Sequence, residues 1–330
     1  MSPSAVEAAL ARQARRIGPV LEELVPRDES AFLGAPAWYH LETGGKRIRS
    51  ALCLMTVEAL GGDSERALHF AAAVELLHNM LLIHDDVEDG DTVRRNQPTV
   101  WKKYGLANAI NVGDYLFARA LRGVILSPVP GEVRSRLVEL FLATYDRTIE
   151  GQALDINSRC DPRFTVEDYL RMVTLKTGHY LVLGMVGGAI IAGAPEGTLE
   201  CLRKLGESLG PAFQIRDDIL DLTAGKGRGG MSGSDIREGK ASILYAHALA
   251  HSSPAEAARL VKVMRKPREK TTRADVASVL GLYRRRGSIA FAQETADRLI
   301  VRAQRALDAL PAGQQSVFRE LVTCIAERKS

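Results

Sequence analysis

The chain has 330 residues, 46% of them hydrophobic, so it can bury a substantial core, and its length alone permits one large domain or two ordinary ones. A count of 44 lysines and arginines against 40 acids leaves a formal charge of +4, too balanced for a nucleic-acid-binding stripe. Cys53, Cys160, Cys201 and Cys324 have neither paired metal-ligand spacing nor the density of a disulfide scaffold, and read as buried thiols of a reducing cytoplasm.

Apolar residues recur at spacings of three and four through nearly every segment, which predicts an all-α chain. In chain order the expected helices lie near 4–23, 47–60, 64–89, 98–122, 131–158, 165–193 and 196–222. Five more follow near 240–251, 254–266, 273–286, 288–309 and 312–328. Gly61-Gly62, Gly90, Pro128 to Gly131, Asp161-Pro162, Gly193 to Pro195 and Pro311 punctuate them. The N-terminal stretch lacks a signal-peptide apolar core and reads as an amphipathic helix. The best membrane candidate, LVLGMVGGAIIAG at 181–193, is shorter than the roughly 20 apolar residues a span needs, so a core helix is expected and no transmembrane segment. TAGKGRGGMSGSD at 223–235 breaks the pattern with five glycines and reads as a functional loop. With no separating linker and no fixed-period repeat, one helical bundle over 1–330 is the expected organisation.

Two acidic clusters carry the chemistry. In LLIHDDVEDGD, Asp85 and Asp89 stand one helical turn apart with Asp86 on the shoulder, behind a buried apolar run. Acids at a helix C-terminus repel one another and oppose the macrodipole, so a positive partner is required. GPAFQIRDDILD, at 210–221, repeats the spacing with Asp217, Asp218 and Asp221. Carboxylate pairs on remote helices that face each other across a bundle suit a hard divalent cation, and Mg²⁺ fits best because it takes few carboxylates plus water and phosphate oxygens.

Such a site needs an anion, and holders for one are present. GGKRIRS at 44–50 puts Lys46 and Arg49 a turn apart after two glycines, where backbone amides and a helix N-terminus receive phosphate. Arg94, Arg95, Lys176 and Lys240 add further cationic stations. Together they describe a cavity for two polyanions, one bridged through Mg²⁺ and one held directly.

GGKRIR, DDVED with RRN, GQALD, KTG, FQIRDDILD and DIREGK occur in the order and approximate spacing of the trans-isoprenyl diphosphate synthases, and the chain resembles that family, in its geranylgeranyl-forming branch, over about residues 40–250. The resemblance implies an isoprenoid-synthase bundle around a deep cavity, commonly a homodimer and cytoplasmic, that condenses isopentenyl diphosphate with an allylic diphosphate. Asp85 and Asp89 would hold two Mg²⁺ ions and Asp217 a third, with Asp86, Asp218 and Asp221 in support. Lys46, Arg49, His78 and Arg95 match positions for isopentenyl diphosphate; Arg94, Lys176 and Lys240 match those for the allylic diphosphate. Thr177 and Gln214 match polar residues beside the developing carbocation, and Gln152 and Asp155 line the same cavity. Ionising the allylic C–O bond builds negative charge on the leaving diphosphate, which cations stabilise. No side-chain base is required, and His84 reads as a structural hydrogen-bonding residue.

The family places a lysine in the glycine loop where this chain has Met231, and Lys226 is a possible substitute. Leu77, Met80 and Leu81 precede the first aspartate by one and two turns as the expected channel wall; they lack an aromatic pair, which points to a C20 product. Longer (C25 or more) or farnesyl products, a class I terpene cyclase and a non-catalytic subunit are the alternative readings.

Overall fold

The computed structural model describes residues 3–28, 30–45, 47–223, 232–310, 315, 318–320 and 322–323. In chain order the helices are α1 Pro3–Arg16, α2 Gly18–Leu24, α3 Gly34–Leu41, α4 Ile48–Ala59, α5 Leu68–Glu88, α6 Val100–Tyr104, α7 Leu106–Leu126 and α8 Gly131–Asn157. They continue as α9 Val166–Val173, α10 His179–Ile191, α11 Glu196–Asp221, α12 Ser234–Glu238, α13 Ile243–His251, α14 Pro254–Met264, α15 Arg273–Arg285 and α16 Ser288–Ala306. Among the described residues the only strands are Val93–Arg94 (β1) and Gln97–Pro98 (β2), a short antiparallel hairpin. The chain is all-α, as its periodicity predicts.

Four stretches depart from the expected helices, the first being 4–23, which divides at Ile17 into α1 and α2. Residues 34–41 form a helix the periodicity missed, and 98–122 is broken at Gly105, whose φ of +91° ends α6. The stretch 165–193 is not continuous: Thr174–Gly178 forms a π-helical turn between α9 and α10. Such turns are frequent at functional sites. The helix expected at 312–328 falls mostly outside the described residues.

Two compact units make up the chain. The first comprises Met1–Ala143, Val182–Leu202 and Leu310–Glu320. Its axis is α5, where Phe70, Ala71, Ala72, Ala73, Val74, Leu76, Leu77 and Met80 are all wholly buried. A helix enclosed on all sides is apolar all round and shows no stripe, so α5 reads as membrane-like by composition. The segment Ser64–Glu88 is long and apolar enough to cross a bilayer, yet two thirds of its apolar window is buried in protein. Glycines permit the close packing. A Cβ on Gly184 or Gly188 of α10 would come within 2.4 Å of the Arg49 carbonyl oxygen or 2.6 Å of that of Cys53, both on α4. One on Gly187 would strike the Phe70 ring. The expected tightly packed core helix at 181–193 therefore has a cause.

The second unit comprises Thr144–Leu181, Arg203–Ala309 and Leu321–Ser330. Its core gathers Tyr169, Met172, Ile215, Ile243, Leu244, Tyr245, Leu260, Val279, Tyr283 and Ala292 from α9, α11, α13, α14, α15 and α16. Capping boxes start α9 (Thr165 with Asp168), α14 (Ser253 with Glu256) and α15 (Thr272 with Asp275), satisfying amides the helices leave open. Cys53 and Cys201 are buried; Cys160 is half-buried and donates to the Met264 carbonyl at 3.0 Å, and Cys324 lies outside the described residues.

Candidate active site

In the first unit α5 ends in its acids. Asp85 and Asp86 lie in the last helical turn and Asp89 is the C-cap. Gly90, at φ +66°, turns the chain out of the helix. The Asp91 carbonyl then accepts hydrogen bonds from Thr99 Oγ1 at 2.8 Å and Trp101 Nε1 at 2.7 Å, tying down the hairpin that follows. Arg95 and Asn96 both sit at positive φ, +51° and +63°, the geometry of a two-residue hairpin turn. That turn folds Arg94 back onto the acids. Its Nε donates to Asp86 Oδ1 at 2.7 Å, and its guanidinium lies 3.4 Å from Asp85 Oδ2. Burial pushes the Asp86 carboxyl up to about 6 against the pull of Arg94. The required positive partner is thus Arg94, which in this state braces the acids.

The basic loop belongs to the same unit. Gly44, Gly45 and Arg47 have φ of +93°, +154° and +45°, and the loop opens α4. A Cβ on Gly45 would stand 2.9 Å from Arg95 Nη1, so glycine lets that guanidinium lie directly on the loop backbone. His78 gathers the charge: burial first, then Arg49, Arg95 and Arg94, hold its imidazole well below the usual range. His40, which the sequence reading missed, is fully buried and lowered to about 3 by burial with Arg94 and Arg95. Arg49, His78, Arg94 and Arg95, singled out separately from sequence, therefore share one electrostatic neighbourhood, to which His40 adds a second neutral imidazole. Lys46 lies outside the described residues. His84 Nε2 donates to the Ile110 carbonyl at 3.3 Å, and its ring rests where Gly113 has no side chain, as a structural histidine would.

In the second unit α11 ends in the other cluster. Asp217 is the exposed member, while Asp218 and Asp221 are buried. Tyr169 donates its hydroxyl proton to Asp218 Oδ2 at 2.7 Å, and Gln214 Nε2 donates to Oδ1 at 3.1 Å. Burial, reinforced by Asp235, nevertheless pushes the Asp218 carboxyl well above the carboxylate range. Asp221 accepts the backbone N–H groups of Ser234 and Asp235 at 3.2 and 3.0 Å, capping α12 and closing the end of the glycine segment onto α11. Met231 and Lys226 lie outside the described residues. Lys240, just beyond α12, stands 3.2 Å from Glu238 Oε2 and 3.8 Å from Asp235 Oδ1.

Lys176 and Thr177 lie on the π-helical turn. Lys176 Nζ donates to Asp155 Oδ2 at 2.5 Å, and Thr177 is buried. Gly151 makes the pairing possible, because its missing Cβ would fall 2.3 Å from the Lys176 nitrogen. Likewise a Cβ on Gly210 of α11 would fall 2.4 Å from the Gly178 Cα. The sequence reading named Lys176 and Asp155 but not their ion pair. It also missed Tyr169, whose only sequence signal is a Tyr in a capped amphipathic helix.

The residues fit a hard divalent cation. In the first unit Asp85 and Asp89 offer oxygen at the end of α5 beside Asp86, whose Oδ2 is buried without a hydrogen-bond partner; in the second unit Asp217 is exposed near the end of α11. Among the described residues no three His, Cys, Asp or Glu side chains are grouped closely enough to hold a metal ion by themselves. One or two carboxylates at a helix end suit Mg²⁺, which completes its shell with water and phosphate.

A family model described as polyprenyl synthetase matches residues 30–282. A geranylfarnesyl diphosphate synthase of Natronomonas pharaonis is 31% identical, covering 98% of this chain and 96% of its own. The crystal structure of a geranylgeranyl pyrophosphate synthetase from Pyrococcus horikoshii Ot3 superposes with a TM-score of 0.91 at 34% identity, over 99% of both chains. A polyprenyl synthase from Caulobacter crescentus CB15, complexed with calcium and isoprenyl diphosphate, gives 0.84 at 29% identity over 98% of both. With acid-ended helices, a cationic loop and this fold already in place, these matches settle the family: the chain is a prenyltransferase of the polyprenyl synthetase family.

Proposed function

We propose that this enzyme condenses isopentenyl diphosphate with an allylic diphosphate of five to fifteen carbons, releasing pyrophosphate and forming geranylgeranyl diphosphate. The observation that carries the reading is the pairing of acids and cations at each helix end: Asp85 and Asp86 with Arg94, and Lys176 with Asp155 on the turn before α10.

Asp85, Asp89 and Asp217 would hold the metal, three Mg²⁺ ions with the bound diphosphate. Bound Mg²⁺ would neutralise charge as the allylic C–O bond ionises. Lys46, Arg49, His78 and Arg95 hold isopentenyl diphosphate; a neutral His78 donates one N–H there without adding charge. Arg94, Lys176 and Lys240 hold the allylic diphosphate. Each is paired with carboxylates in the structure, so substrate oxygens exchange with Asp86, Asp155 and Glu238 for the same donors. Thr177 and Gln214 present oxygen dipoles to the carbocation without trapping it covalently. The double bond of isopentenyl diphosphate attacks, and the departed diphosphate takes the proton.

Leu77 and Met80 are wholly buried on α5, and medium-sized side chains there suit a C20 product. A C25 product is the second reading, favoured by the geranylfarnesyl-forming relative. Leu106 and Ile110, one turn apart at the start of α7, are exposed apolar side chains of the kind a second copy would cover in a homodimer. Incubation with labelled isopentenyl diphosphate and each primer, followed by chromatographic sizing, tests the reading. A C20 diphosphate supports it; hydrocarbon or alcohol from the allylic substrate alone would indicate a cyclase, and no product from any primer a non-catalytic chain.

A further inference from the structure

Arg47, the residue before α4, holds φ +45°, a conformation that L side chains rarely adopt. Something must hold it there. Its carbonyl accepts from the Ala51 N–H at 3.1 Å and from Ser50 Oγ at 2.9 Å. Ser50 is wholly buried, and its Oγ also lies 3.2 Å from Oε2 of Glu75 on α5. Glu75 is itself buried, and its Oε1 accepts from Asn79 Nδ2 at 3.2 Å.

A hydroxyl has one proton to give. If Ser50 donates it to the Arg47 carbonyl, the contact with Glu75 is a hydrogen bond only when the carboxyl supplies its own. The relay then runs from Glu75 O–H to Ser50 Oγ, and from Ser50 O–H to the backbone that sets the first turn of α4. Burial pushes the Glu75 carboxyl above its usual range, against the pull of Arg47, Asn79, Ser50 and Arg49. On its outer side the turn borders a cavity of about 640 Å³ next to α1, lined by Gly44, Gly45, Arg47 and Ile48 with Glu75 and Asn79. Close packing does not hold the turn from that side.

We propose that Glu75 is a positioning residue for the homoallylic diphosphate, acting through Ser50 to hold the loop and first helical turn that carry Arg49. The inference rests on the assignment of Arg49 to that diphosphate. It is tested by measuring kcat, both KM values and melting for Glu75→Ala, Ser50→Ala and Glu75→Gln. The first two should raise KM for isopentenyl diphosphate about tenfold while kcat and the allylic KM stay within about twofold. Glu75→Gln should stay within about twofold of wild type throughout, because its amide N–H₂ donates where the acid did and its oxygen still accepts from Asn79. A Glu75→Gln as impaired as Glu75→Ala, an equal rise in both KM values, or an unchanged KM in Ser50→Ala would each overturn the proposal. Should Glu75→Ala fail to fold, the other two variants still decide. Failure of the functional reading looks different: the wild-type chain would then consume no isopentenyl diphosphate.

Discussion

Gly151→Ala sets two opposing effects against each other, and the geometry decides the sign. Gly151 lies inside α8, where alanine is intrinsically favoured over glycine by up to about 1 kcal/mol. The new methyl, however, would sit 2.3 Å from the Lys176 backbone nitrogen, 2.7 Å from its Cα and 2.8 Å from its Cβ. Main-chain atoms cannot swing aside, so helix and π-helical turn must separate by about 1 Å to restore ordinary contact. Overpacking of this kind costs about 1–3 kcal/mol, and losing the Lys176–Asp155 charged hydrogen bond adds about 1.5–3 kcal/mol. The clash wins. Calorimetry should show Tm falling by about 2–6 °C, and the allylic KM should rise about tenfold as Lys176 shifts. A Tm at or above wild type with an unchanged allylic KM would refute the reasoning, since propensity alone would then govern the site.

Met80→Ala should lengthen the main product by one isoprene unit or more, read by chromatography of the dephosphorylated products; unchanged length would remove Met80 as the channel floor. Tyr169→Phe leaves the buried Asp218 carboxyl short of one donor, so Tm should drop with a cost of about 1–3 kcal/mol, and an unchanged Tm would contradict the Asp218 hydrogen bond as a stabilising contact. Asp86→Asn isolates a pH effect. Because the folded carboxyl is raised to about 6, its stabilising contribution is full below the unfolded value near 4 and is lost as pH rises through about 6. The depressed His40 and His78 act oppositely in that window, so the quantity to follow is the Tm difference between variant and wild type. It should move in favour of asparagine between pH 4 and about 7, and a pH-independent difference would show that Asp86 is not raised.

What could be read in advance was whatever chemistry is local in sequence. The i, i+4 aspartates are legible because helical spacing alone places them on one face, and the apolar runs before them mark buried helices. Arg94 was visible as a cation but assigned to substrate. Its bracing of Asp86 depends on a turn in which Arg95 and Asn96 both take positive φ, a choice that a short polar stretch does not announce. Tyr169 meeting Asp218, Gly151 backing Lys176 and Ser50 meeting Glu75 join residues 49, 25 and 25 positions apart, where no periodicity reaches. Residues 165–193 carry uninterrupted helical patterning, so the π-helical turn was hidden; it arises where close contact with α8 and α11 shapes the backbone around Lys176 and Gly178.

Pyrophosphate release tests the central claim most directly. With Mg²⁺, isopentenyl diphosphate and an allylic primer, the purified chain should release pyrophosphate, and a chelator should stop it. Asp85→Asn and Asp217→Asn should each reduce the rate by about 10²-fold or more, as losses of transition-state charge stabilisation do. Full release by either variant, or none by the wild type with any C5 to C15 primer, would contradict the account.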